Sequence, residues 1–122
     1  MDHLHRYAGV TSAIEVCVVG SGGFGRSFLA QSMRVAAVSA RVAVDLQPEI
    51  AAEGWRAIGI EAERIALCHT AQEAAAAWER GLYIAAGDVT TVLGLPLQLM
   101  VEATGHPEAG ARHARLAIAA GL

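Results

Sequence analysis

There is no lysine in this chain of 122 residues; all nine of its basic residues are arginines. Genomic base composition is the bland cause of such a bias, but the chemical consequence holds whatever the cause. No side chain here can form a Schiff base or act as a lysine acid. A Walker phosphate loop is excluded too, because it needs a lysine after its last glycine. Cysteine is almost as scarce. Cys17 and Cys68 are the only two, each inside an apolar, strand-like run and without CxxC spacing. Buried free thiols are the expectation, and no metal site. Aromatics make up 5% of a chain that is 54% hydrophobic, so the core must be built from Ala, Val, Leu and Ile. No apolar run reaches the length of a membrane span. The start, MDHLHRYAGVTSAIEV, lacks the basic-then-apolar build of a signal peptide. A net charge of -3 does not favour nucleic acid or an anionic membrane surface as partner. A cytoplasmic protein is the default expectation.

A chain of this length is one domain by the usual prior and can bury roughly two thirds of its unfolded surface. Residues 1–12 are polar and irregular and read as a flexible tail; His3 and His5 there are a weak metal pair at most. Residues 13–122 alternate between strand and helix patterns. Ile14 to Val19 is an almost continuously apolar first strand, suited to burial on both faces. A helix follows Gly22, with Phe24, Phe28, Leu29, Ser32, Met33 and Ala36 on one face. Arg41 to Leu46 reads as the second strand. Pro48 then opens a helix with Glu49 in its first turn, Ile50, Trp55 and Ile58 on its apolar face, and Gly59 at its end. Ile65 to Cys68 is a short third strand. Thr70 and Glu73 form a capping box for the next helix, which Trp78 anchors and Gly81 stops. Tyr83 to Ala86 reads as one short extended piece, and Asp88 as the cap of a short helix through Leu93. Leu97 to Ala103 is the fourth strand, and Pro107 opens a last helix with Leu116, Ala117 and Ala120 on its apolar face. This alternation predicts an α/β fold: a Rossmann-type, doubly wound parallel sheet, with strand order 3-2-1-4 favoured by right-handed crossovers.

The stretch Val18 to Gly25 carries the clearest chemistry. In its GxGxxG pattern, Gly20 makes the tight turn at the strand end. Gly22 lets backbone approach a pyrophosphate, and Gly25 lets the helix pack close to the strand. Ser21, Gly23 and Phe24 complete the loop, whose free N–H groups meet the anion at the helix start. Asp45 ends the second strand twenty residues after Gly25, the spacing expected of the acid that accepts hydrogen bonds from the adenosine ribose. A carboxylate there repels a 2′-phosphate, so NAD is favoured over NADP. Arg26 and Arg41 keep NADP open, because either can reach a phosphate if the turn folds favourably. Across the expected crevice lies Glu102-Ala103-Thr104-Gly105-His106-Pro107. Thr104 and Gly105 are expected to line the nicotinamide side. His106 is either a proton donor there or, more commonly for such a residue, a partly exposed histidine at a helix start. His69, which follows the third strand, either brushes the adenine pocket or, more commonly for such a residue, is exposed, and His113 reads as a surface residue of the last helix. Methyltransferases share a glycine-rich first turn, but their first strand usually carries an acid shortly before the glycines, where Val18 and Val19 stand here. An FAD enzyme normally needs further cofactor-contacting segments.

The segments VVGSGGFGRS, AVDL and VEATGHPEAG together resemble the amino-terminal domain of homoserine-dehydrogenase-like oxidoreductases. More closely, they resemble the subgroup that includes the deoxyxylulose-phosphate-reductoisomerase-like proteins. The likeness runs from about residue 14 to the end. It implies NAD(P)-dependent hydride transfer on a small polar alcohol or carbonyl substrate. Gly20, Gly22, Gly25 and Asp45 would then hold the dinucleotide, and Thr104 and Gly105 would approach its nicotinamide end. Relatives continue through another strand into a catalytic and oligomerising domain, so the catalytic residues are expected outside these 122 residues. The alternative is a non-catalytic nucleotide-binding module, or one that needs a partner chain or a second copy.

Overall fold

A computed structural model describes residues 13–20, 23–103 and 107–121. The predicted tail of residues 1–12 lies outside them. The elements in chain order are β1 (Ile14–Val19), α1 (Gly23–Ser32), β2 (Val38–Val44), α2 (Pro48–Ala57), a single 3-10 turn (Ala62–Arg64), β3 (Ile65–Cys68), α3 (Ala71–Glu79), β4 (Tyr83–Ala86), a second 3-10 turn (Val89–Thr91), β5 (Leu99–Glu102) and α4 (Pro107–Ala119). All strand pairs are parallel, in the order β3-β4-β2-β1-β5. Helices cover both faces, so the sheet is doubly wound in the Rossmann manner.

The strand order corrects the sequence expectation. Tyr83–Ala86 is a central strand, inserted between the second and third predicted strands, with Val42 beside Ile84 and Ala66 on its other side. Its reading as a mere extended piece has a physical cause. The run YIAA is too short for a periodic signal and half of it is alanine. Those alanines are there because both helical layers press on this strand: Ala85 faces one core and Ala86 the other, each fully buried.

The two layers follow from the alternation of side chains along the strands. Val16, Val18, Ala40, Ala43 and Ala85 meet Leu29 of α1 and Ala51 and Trp55 of α2. Cys17, Val19, Val42, Val44, Ile84 and Cys68 meet Ala74 and Ala77 of α3 and Val89 and Val92 of the second 3-10 turn. Leu116 of α4 packs at the margin of this second layer. Trp55 is fully buried, and its indole N–H donates to the Ile84 carbonyl at 2.9 Å. An aromatic of this size carries a large share of a small aliphatic core, and truncating such a residue to alanine typically costs about 3–5 kcal/mol.

Several boundaries shift from expectation. The second strand begins three residues earlier than Arg41 and stops at Val44, which leaves Asp45 just beyond it and Leu46 almost fully exposed. The final strand is trimmed to Leu99–Glu102, and the predicted helix after Asp88 is one 3-10 turn. On α1, Met33 and Ala36 lie past the helix end and are exposed, while Leu29 and Ser32 are buried, the Ser32 hydroxyl donating to the Leu29 carbonyl at 2.7 Å. Ile50 is also exposed; Ala51 and Trp55 provide the buried face of α2. The capping box at Thr70 and Glu73 forms as the sequence predicts. Among the described residues no helix is long and apolar enough to cross a membrane.

Arg41 shows how far a local reading can miss. The β1–β2 register slips between Val16 and Cys17, with Val16 opposite Ala40 and Cys17 opposite Val42. Arg41 is the extra residue of this bulge. Its guanidinium lies 3.9 Å from the centre of the Trp78 ring and donates to the carbonyls of Trp78 and Leu82 at 2.9 and 3.3 Å. These partners sit where α3 ends and β4 begins, at the amino end of the strands. Arg41 therefore does not reach the end of the sheet where a phosphate was expected.

Candidate functional site

The carboxyl ends of β2, β1 and β5 lie side by side. Gly20 N–H donates to the Val44 carbonyl at 2.6 Å, and Ala103 N–H donates to the Val19 carbonyl at 2.7 Å. The chain leaves β1 toward α1 on one face of the sheet and leaves β5 toward α4 on the other. A crevice opens where neighbouring strands send their helices to opposite faces, and in open α/β sheets this is where ligands bind.

Gly20 has φ 91°, a left-handed conformation that glycine adopts without strain. Gly25, on the first turn of α1, lies directly against Gly20. A Cβ built there would run into the Gly20 carbonyl oxygen, with the carbonyl carbon at 2.9 Å and the Ala103 Cβ at 3.6 Å. So α1 can approach β1 this closely only with glycine at position 25, and the approach aims the start of the helix at the crevice. The two outer glycines of the motif thus do what the spacing predicts. Gly23 opens α1 and Phe24 follows it in the helix. Ser21 and Gly22 lie outside the described residues, as do Thr104, Gly105 and His106. Arg26 is exposed on α1.

Asp45 sits on the β2 side. Its backbone N–H donates to the Ala86 carbonyl at 3.0 Å, and its Oδ1 accepts from Gln47 N–H at 3.1 Å. The second bond ties the carboxylate to the start of α2, where Pro48 takes the first helical position. The acid is therefore oriented at a helix amino terminus, beside the glycine turn. Gly87 continues β4 into the same region: a Cβ there would lie 3.2 Å from the Pro48 Cδ. The next residue, Asp88, caps the second 3-10 turn. Its Oδ1 accepts from both the N–H and the hydroxyl of Thr90 at 2.8 Å, and Arg112 of α4 approaches Oδ2 at 3.4 Å. Partial burial pushes the Asp88 carboxyl up, but the Thr90 hydrogen bonds and the Arg112 charge outweigh it and hold the group below its ordinary value. The sequence marks Asp88 as a cap. It could not mark the ion pair, since Arg112 is 24 residues away.

Glu102 lies opposite Val19 at the end of β5 and is exposed. Its charge reaches Cys17: burial first, and then Glu102, push the Cys17 thiol up to about 12. Cys17 is thus a neutral, inert core thiol, as expected. Cys68 is buried too, and burial followed by the charge of Glu73 raises its thiol as well. Among the described residues no three His, Cys, Asp or Glu side chains gather as a metal site would need. His69 is exposed, as the sequence suggests.

The described residues set a helix start, through the close Gly20–Gly25 contact, at a strand-end crevice with a carboxylate at the end of the neighbouring strand, features that a dinucleotide site would use. Comparison with family models and with curated proteins gives no match to this chain.

Proposed function

We propose that this chain is the NAD(P)-binding domain of an oxidoreductase of the homoserine-dehydrogenase-like kind, with NAD the favoured cofactor. The contact of Gly25 with the Gly20 carbonyl carries this reading, because it brings a helix start within reach of a pyrophosphate. Backbone N–H groups of the turn would bind the phosphates, and the helix dipole would add to their field. Asp45 would accept hydrogen bonds from the adenosine ribose and would repel a 2′-phosphate. Thr104 and Gly105, by resemblance, would lie toward the nicotinamide. When bound, the cofactor supplies the hydride, and the protein supplies orientation and electrostatics. The substrate would be a small polar alcohol or carbonyl compound, and a catalytic domain would provide the residues that handle it. Calorimetric titration with NAD and NADP tests the reading; the expected result is binding of both with NAD the tighter, and no binding of either at millimolar concentration overturns it.

A second reading is favoured by one observation. β5 is an edge strand, and Leu99 on it is 48% exposed, with Ile14 of β1 at 46% nearby in the sheet. An apolar, unpaired edge of this kind invites a further strand. A non-catalytic binding module that completes its sheet with a partner chain or a second copy would use it. Sedimentation of the purified chain tests this second reading: dimers or larger assemblies support a sheet completed by another chain, and a well-behaved monomer counts against it.

A further inference from the structure

The wall formed by β5 and α4 is held in an unusual way. Among the described side chains of α4, only Ala117 is buried; Leu116 is half-buried, and Ile118 is largely exposed. Among those side chains, little apolar surface is buried against the rest of the fold. A polar tie from Arg112 to Asp88 adds to it, with Nη2 at 3.4 Å from Oδ2 and 3.5 Å from Oδ1.

Asp88 is a firm anchor for that tie. Two hydrogen bonds from Thr90 set its carboxylate. The 3-10 turn that it caps is seated by Val89 and Val92, both fully buried. Two residues earlier, the Ala86 carbonyl accepts from Asp45 N–H, and Gly87 lies against Pro48. A continuous path of short contacts thus runs from Asp45, on one wall of the crevice, through β4 to Arg112, on the other.

We propose that Asp88 and Arg112 are positioning residues for the candidate site: they hold α4 at a fixed distance from β2 and α2, and so set the affinity for the half of a dinucleotide that meets the β5–α4 wall. The inference rests on the proposed dinucleotide binding for its ligand, but its mechanical part stands apart from it. The adenosine half meets Asp45 and α2, which the tie does not move.

The test uses the full chain and three variants: Arg112→Gln, which removes the tie and leaves the Asp88 cap; Arg112→Lys, which keeps the charge; and Asp88→Asn. Each is titrated with NAD and with adenosine monophosphate, and amide hydrogen exchange is followed on α4 and on α3. Arg112→Gln is expected to bind NAD about two- to fivefold more weakly, the range a half-exposed ion pair supports, with adenosine monophosphate unchanged. Arg112→Lys should recover most of the loss. In the free protein, Arg112→Gln should speed exchange on α4 and leave α3 as it was. Equal weakening of both ligands, or no weakening of either, overturns the proposal. So does unchanged exchange on α4, which needs no ligand at all. Failure of the wild type to bind either nucleotide would instead remove the proposed function and leave the exchange result to decide the mechanical tie.

Discussion

The two ends of the sheet are built by different chemistry. At the amino end the polar groups serve the fold. Arg41 stacks on Trp78 and caps two carbonyls, Arg64 lies 5.2 Å over the Tyr83 ring, and that ring in turn tilts against Trp55 with centroids 4.9 Å apart. At the carboxyl end the polar groups line an opening. Asp45, Glu73, Asp88 and Glu102 stand at or just beyond the ends of four strands, and Gly20 and Gly25 sit among them. Helix dipoles explain part of this sorting, because every helix here begins where a strand ends and so presents its positive pole at the carboxyl end. Glu49 and Glu73 lie in first turns, and Arg56 in a last turn. The contrast teaches that charge alone does not mark the site. The cations are densest where they are structural. A phosphate bound at the carboxyl end would rely on backbone N–H groups, with Arg26 the nearest exposed cation in sequence to the glycine turn.

The sharpest way to break this contrast is at Gly25. Gly25→Val drives a side chain into the Gly20 carbonyl, and the structure must move apart there. Loss of about 2–3 kcal/mol of stability is expected, as for overpacked cores, together with loss of nucleotide binding. Urea denaturation and NAD titration check both, and a variant as stable as the wild type would refute the close approach. Arg41→Ala probes the opposite end. It removes two hydrogen bonds and a cation–π contact at a half-buried site, for an expected cost of about 2 kcal/mol, and NAD affinity should stay the same. A drop in affinity with no loss of stability would show that the ends are not separate in role.

Asp45→Ala is the mirror case. NAD affinity should fall about tenfold, the effect of roughly 1.4 kcal/mol, and preference over NADP should shrink. Stability should change by less, since the hydrogen bond that the carboxylate accepts from Gln47 N–H is an exposed one. Binding isotherms for both cofactors would measure it; unchanged affinity would remove Asp45 from the site. The smallest effect is expected at Glu73. A hydrogen bond from His69 N–H first, opposed by slight desolvation and aided by Thr70, holds its carboxyl below the ordinary value. A depressed folded value means that its contribution is complete above the unfolded pKa of about 4.3 and is lost as pH falls through the folded one. Glu73→Gln should therefore flatten the acid side of the stability profile between about pH 6 and pH 3. Urea midpoints across that range would show it, and parallel profiles for the two proteins would count against the capping box as its source.

What could be read in the sequence was what depends on neighbours in the chain. The close approach of Gly25 to Gly20, the capping box at Thr70 and Glu73 and the proline start of α2 all join residues only a few positions apart, and each has its expected form. The readings that failed depend on distant partners. Arg41 could not be assigned because its acceptors are carbonyls 37 and 41 residues away. β4 could not be ordered because its identity as a central strand comes from β2 and β3 on either side of it, not from its own four residues. Asp88 was visible as a cap but not as a link to α4. Thr104 and Gly105 lie outside the described residues, and their expected roles rest on sequence position and resemblance.

The insertion of β4 also sets the order in which the sheet can assemble. β3, α3 and β4 are contiguous in the chain and pair with each other over four residues, while only β4 touches the rest of the sheet, through β2. They form a lobe that can gather its own short-range contacts before it docks. The β1–β5 pairing has no such help: the bond from Glu15 N–H to Gln98 Oε1 closes a separation of 83 residues. Loop closure over that span gains from every segment already compacted inside it. The sheet thus gathers from two short-range pairs, β3–β4 and β1–β2, and the strand that completes the crevice is the last that chain entropy allows to join.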